Sequence, residues 1–253
     1  MFVFHNPKAG GSSLCSSLWP LYQSSRICIW DEQDPFQYKA AAENYRPLLG
    51  HDVYMGHFGY DLYRELGPGY TPVTNFRHPA ARLISLYNFF RFSVHRPPEV
   101  LASPDLTAVR LAKSASFEDF VLCDEPLVAM YTCDHHFRQL ANSPWSMTWT
   151  RSEAEVAAFV QAMPWFYVCE FPEASYLWAR QVMGWRLGKV PRENVTKMDD
   201  GETPVSLLTL SDSLYARIMD RNARDMALYR IAVDKLIEAT AFAPPVRQIV
   251  AAE

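Results

Sequence analysis

The chain opens with an uninterrupted apolar run, Phe2-Val3-Phe4, that passes through His5-Asn6-Pro7-Lys8-Ala9 into Gly10-Gly11-Ser12-Ser13-Leu14. A strand that ends in a glycine-rich turn and restarts as a helix leaves few folds open. Adjacent glycines let the backbone bend tightly and aim successive N–H groups at one point, and serines in the first helical turn add hydroxyl donors. Such a turn holds an anion, and Lys8 brings a full positive charge to it. A plain strand-to-helix turn with serine capping and a solvated lysine would use the same residues, so a second block has to decide.

That block is Thr74-Asn75-Phe76-Arg77-His78-Pro79 with the helix predicted after it, 80–91. Residues 73–76 read as a buried strand, and Pro79 sits where a helix starts. Leu83, Leu86, Tyr87 and Phe90 then fall at helical spacing and make a core-facing stripe. Arg77 is left at the strand's carboxyl end and Ser85 on a neighbouring helix face. Both can reach an anionic group in the crevice above an open α/β sheet, where such folds bind ligands.

The rest of the chain alternates in the same way. Strands are predicted over 2–5, 26–30, 53–56, 73–76 and 165–168, and helices over 12–22, 38–45, 80–91, 172–183 and 211–239. The expected class is α/β, a P-loop-like three-layer fold with a mostly parallel central sheet flanked by helices. Residues 93–165 depart from the alternation, being proline-bearing and holding Trp145, Trp149 and Trp165. They read as a helical cap inserted into one domain spanning 1–239, placed where loops over a rigid sheet recognise substrates. Residues 240–253 read as a loosely held tail.

Composition narrows the function classes. With 253 residues, 49% of them hydrophobic, the chain can bury a large core without metal or disulfide support. A net charge of −4 with no basic stripe argues against a nucleic-acid-binding face. Cys15, Cys28, Cys123, Cys133 and Cys169 are odd in number and widely spaced, with no CxxC pair, so they read as reduced thiols and no metal site is expected. With no secretory leader and no apolar run long enough to cross a bilayer, the expectation is a soluble cytoplasmic protein without membrane partners. A Golgi lumenal location would follow only if an anchor precedes this sequence. Asn194-Val195-Thr196 has the form of a glycosylation acceptor, which a cytoplasmic chain would not use.

At this point the blocks carry a resemblance. His5-x-Pro7-Lys8-x-Gly10-Gly11-Ser12-Ser13-Leu14 resembles the phosphosulfate-binding loop of the carbohydrate sulfotransferases, the Golgi-type heparan and chondroitin enzymes and their bacterial relatives. Arg77-x-Pro79-x-x-Arg82-x-x-Ser85-Leu86-Tyr87 is similar to that family's 3′-phosphate site. Between them, Gly56-His57-Phe58-Gly59-Tyr60 resembles a segment whose histidine is the family's catalytic base. Glu170-Phe171, Gly184-Trp185, Asn194-Val195-Thr196 and Asp225-x-x-Leu228-Tyr229 echo further positions in the right order. Two places depart from the pattern. His78 stands where relatives commonly carry a helix-capping aspartate, and in 133–140 Arg138 is the position that matches well.

The resemblance implies transfer of a sulfuryl group from 3′-phosphoadenosine 5′-phosphosulfate (PAPS) to an acceptor hydroxyl. The resemblance favours a carbohydrate hydroxyl as the acceptor and leaves a tyrosine hydroxyl or a small alcohol open, with 3′-phosphoadenosine 5′-phosphate (PAP) left as product. Pro7, Lys8, Ala9, Gly10, Gly11, Ser12, Ser13, Arg77 and Ser85 would bind the donor. Lys8 and the loop N–H groups would face the charge that builds on the departing phosphate oxygen, and His57 would receive the acceptor's proton. His95, Arg96, Arg138 and Glu170 are the candidates for acceptor contacts, with Trp145 or Trp149 as stacking partners. Two other classes share the plan: a P-loop kinase or nucleotide hydrolase, and a non-catalytic nucleotide-binding module. The first normally needs Gly-Lys-Ser/Thr and a metal-holding acid, and neither is evident here.

Overall fold

The computed structural model describes residues 1–23, 25–29, 48–187 and 204–241. Its strands are β1 (Phe2–Phe4), β2 (Ile27–Ile29), β3 (Val53–Gly56), β4 (Pro72–Phe76) and β5 (Tyr167–Val168). All pairings are parallel, in the order β2-β3-β1-β4-β5, with Phe2 opposite Tyr54 on one side and Pro72 on the other. Helices flank the sheet, as the alternation predicted. The central strand is apolar throughout because both of its faces are covered: Phe2, Val3 and Phe4 are fully buried. At the edge, Ile29 of β2 is exposed.

The helices are α1 (Gly11–Leu18), α2 (Tyr60–Leu66), α3 (Pro79–Asn88), α4 (Pro98–Leu101), α5 (Thr107–Ser114), α6 (Phe117–Val121), α7 (Pro126–Thr132), α8 (His135–Ala141), α9 (Glu153–Ala162), α10 (Pro172–Met183), α11 (Asp212–Arg221) and α12 (Ala223–Thr240). Leaving β1 the chain runs to β2 on one side, whereas leaving β4 it runs to β5 on the other. The direction of the connections therefore reverses between β1 and β4, and the carboxyl ends of strands at such a point are where parallel open sheets bind ligands.

The segment expected as a single cap divides between two cores. Phe137, Leu140, Val156, Val160 and Met163 from α8, α9 and the turn after it join the main core with the strands and α12. Residues of α5, α6 and α7, among them Val109, Phe120 and Val128, instead form a second core with Leu83, Leu86 and Tyr87 of α3 and with Phe90 just after it. The long helix predicted over 211–239 is also two helices, broken at Asn222 (φ −125°, ψ 33°). Asn222 bridges the break, its amide nitrogen donating to the Ile218 carbonyl and its amide oxygen accepting from the Asp134 N–H. Asp134 caps α12 through the N–H groups of Arg224 and Asp225, while Asp225 returns the favour at α8 through those of His136 and Phe137. The predicted helix 38–45, the tripeptide at 194–196 and most of the tail lie outside the described residues.

Candidate active site

The loop after β1 is built around two glycines with different duties. Gly10 takes a left-handed conformation (φ 78°) at the start of α1, where a side chain would be strained. Gly11 lets the first turn of α1 close on His5, because a Cβ there would overlap the imidazole ring. The N-cap is Gly10, which has no side chain to cap the turn, and the helix start carries the positive end of the helix dipole.

The loop is held from below by a residue that pattern reading passed over. Asn75, in the middle of buried β4, donates to the carbonyls of Asn6 and Ala9 and accepts from the Asn6 N–H, each at 2.9 Å. A polar amide in a strand that otherwise reads apolar was the available signal. Arg77 donates from Nη1 to the Lys8 carbonyl at 2.9 Å, which ties the end of β4 to the end of β1. Lys8 itself has φ 63°, and its ammonium lies 3.9 Å from the centre of the Phe89 ring. Phe89 follows α3 directly, in a π-helical turn (Phe89–Ser93) that replaces the last part of the predicted helix 80–91. Half-buried Ser85 lies in α3, four residues before Phe89.

His57 arrives from the carboxyl end of β3, beside His5, with ring centres 4.6 Å apart and ring planes near perpendicular. Gln139 of α8 fixes both segments at once, donating to the Phe58 carbonyl at 2.9 Å and the His5 carbonyl at 3.3 Å. Burial, then His5, then Lys8 hold His57 well below the usual imidazole range, so it is neutral at pH 7. His5 is pulled down to about 4, by burial first and by Lys8 second. Lys8, His57 and Arg77 thus follow the carboxyl ends of the neighbouring strands β1, β3 and β4, with Arg77 bonded to the Lys8 carbonyl and Lys8 close enough to His57 to lower its pKa.

The remaining candidates are placed differently. Glu170, after β5, accepts from the His78 N–H at 2.9 Å, and burial raises its pKa against the opposing pull of that N–H and of Arg77. It thus caps α3, supplying from another strand the carboxylate that His78 lacks. Arg138 is buried, and its guanidinium donates to the carbonyls of Cys133, Pro144, Ser146 and Met130. Its donors brace the 142–146 turn, which takes it out of reach of an acceptor arriving from solvent. His95 and Arg96 lie exposed between the π-helical turn and α4. Trp145 packs edge-on to Tyr131 and His135, and Trp149 is 41% exposed with Arg224 over its ring.

These histidines, His5, His135 and His136 buried and His57 half-buried, make the fold sensitive to acid. His5, at about 4, His136, at about 3 through burial and then Arg82, and His57 and His135 all sit below the 6.5 of an unfolded chain. Between those limits the unfolded chain binds protons that the fold refuses, so the stability present above pH 6.5 is lost as pH falls. For His5 alone the loss by pH 4 is ~3 kcal/mol. Asp225, raised to about 6 by burial and then Asp134, and Glu170 work in the opposite direction and offset part of it. Thermal unfolding followed by circular dichroism should give a Tm that falls steeply between pH 6.5 and 4; a flat profile would contradict the neutral buried histidines.

No protein-family model matches the chain, and no curated protein is significantly similar to it. Among the described residues no helix is long and apolar enough to cross a membrane.

Proposed function

We propose that this protein is a sulfotransferase that moves the sulfuryl group of PAPS to an acceptor hydroxyl, with a carbohydrate as the acceptor class. One observation supports the reading: Lys8, His57 and Arg77 follow the carboxyl ends of three neighbouring parallel strands, with Arg77 bonded to the Lys8 carbonyl and His57 packed on His5. A nucleotide with phosphate groups on both the 3′ and 5′ positions needs two anion grips. Lys8 and the first-turn amides of α1 supply the grip for the phosphosulfate, and Arg77 with Ser85 supplies the grip for the 3′-phosphate.

The chemistry follows from those placements. The acceptor oxygen attacks sulfur in line, forming a new O–S bond as the bond from sulfur to the 5′-phosphate oxygen breaks, and PAP leaves. Negative charge grows on that phosphate oxygen, where a pre-oriented ammonium and helix-start amides lower the barrier without having to reorganise. His57, neutral before the reaction, accepts the acceptor's proton as the new bond forms. Bound phosphates would raise its basicity toward working pH, since nearby negative charge favours the imidazolium. The end of β4 delivers Arg77 where a nucleotide kinase would want a metal-holding acid. Exposed Arg96 and His95 are left to meet an acidic sugar, in a soluble, cytoplasmic enzyme.

Calorimetric titration tests this reading. PAP is expected to bind more tightly than ATP by at least about tenfold, and Arg77→Ala should weaken PAP by roughly 10–100-fold, the range for losing a charge-assisted bond. Adenosine 5′-phosphosulfate, lacking the 3′-phosphate, should lose much less. Equal weakening of both nucleotides would reduce Arg77 to a brace for the loop, and magnesium-dependent ATP turnover would favour a kinase.

A further inference from the structure

We infer that Phe89 is a positioning residue for Lys8, its ring serving as the rest against which the ammonium is aimed into the crevice. The effect on turnover rests on the sulfotransferase reading; the contact does not. Lys8 is fixed at its backbone by the Arg77 bond to its carbonyl and by a left-handed φ of 63°, which sets the direction in which its side chain leaves the loop. The backbone alone leaves a long, rotatable stem, so a second constraint is needed to place the charge. Phe89 provides it, with the Lys8 ammonium 3.9 Å from its ring centre, well inside the range of a cation–π contact.

The backbone at Phe89 is shaped for this task. The chain leaves α3 through a π-helical turn, Phe89–Ser93, closed by a Val94 N–H bond to the Phe89 carbonyl at 3.2 Å. Such turns add a residue to the helix and redirect the side chains around it, and they recur at functional sites. Here Phe90 is buried in the second core, and half-buried Phe89, packed on the edge of that core with its ring centre 6.0 Å from that of Phe90, meets the lysine. An aromatic face holds a cation without neutralising it, whereas a carboxylate in the same place would form an ion pair and compete with the anion Lys8 is meant to serve. The ring also shields one side of the ammonium from water, which strengthens its attraction for a nearby phosphate oxygen.

The test compares Phe89→Leu, which keeps an apolar side chain but removes the ring, with Phe89→Tyr, which keeps the ring. In protein labelled with ¹³C-lysine, the Lys8 resonance is assigned by its absence from Lys8→Arg. Its ε-methylene protons should be shifted upfield in the parent and in Phe89→Tyr, and return to ordinary values in Phe89→Leu. In transfer assays Phe89→Leu should lower kcat by about 3–30-fold, the span expected for this contact, with PAP affinity within about twofold of the parent. Phe89→Tyr should retain near-parental kcat, and Phe89→Leu should add no further loss to Lys8→Ala. A Lys8 resonance indifferent to Phe89→Leu overturns the contact. Unchanged kcat in Phe89→Leu, an equally slow Phe89→Tyr, or a further loss on the Lys8→Ala background overturns the positioning role. A parent that transfers no sulfuryl group would instead refute the sulfotransferase reading, and the resonance shift would still decide where Phe89 holds Lys8.

Discussion

His57→Ala is expected to turn over roughly 10²–10⁴-fold more slowly than the parent while binding PAP almost as tightly, because it removes the proton acceptor and spares the donor's grips. The separation of effects follows from the geometry. The groups assigned to the nucleotide come from the loop after β1 and from β4 with α3, and His57 comes from β3. His57 is held as the neutral base by burial, with His5 and Lys8 adding to the effect. In the free protein, kcat/KM should therefore lose activity on the acid side only well below pH 6.5. The measurement is steady-state transfer beside calorimetric PAP binding. A parallel collapse of binding would make His57 a structural part of the loop, and parental turnover would remove it from the reaction.

The second large effect is on folding. Gly11→Ala places a methyl group inside the His5 ring, which cannot simply step aside because the His57 ring stands on it at 4.6 Å and the His5 N–H is bonded to the Gly56 carbonyl at 2.9 Å. Overpacking at a buried site costs about 1–3 kcal/mol, or more where the backbone must yield. For a domain of this size that lowers Tm by about 5–10 °C at the upper end. The cause can be isolated. Adding His5→Ala to Gly11→Ala removes the obstructing ring, and the double variant should melt above the single Gly11→Ala chain although His5→Ala alone destabilises. Differential scanning calorimetry on the four chains gives the cycle. A Gly11→Ala chain that melts with the parent, or a double variant that melts lower still, would show that His5 does not pack on the helix start.

Much of the frame was legible because it follows from local rules. The apolar run of β1, the turn at Gly10 and Gly11, the Pro79 helix start and α10 over Pro172–Met183 all read from period and breaker residues. Other features depend on partners that no window of sequence contains. Gln139 grips the His5 carbonyl across 134 positions, and Asn75 grips Asn6 across 69. Arg138 reads as a candidate acceptor contact until the carbonyls that surround it are brought together by the fold. The break at Asn222 was missed because the hydrophobic stripe continues across it, and only the reciprocal caps of Asp134 and Asp225 explain why two helices start where they do.

By itself the sequence determined the covalent chemistry and the short-range geometry: which side chains can carry charge or move a proton, and where the backbone must turn, since these depend on residue type and on neighbours a few positions away. Tertiary structure alone decided which of those groups share a crevice and which are consumed in holding it. Bringing Lys8, His57 and Arg77 to the same end of the sheet requires three parallel strands in register, and the cap that Glu170 gives α3 requires β5 beside β4. The physical reason is that hydrogen bonds and desolvation act over a few ångströms of space, whatever the distance along the chain.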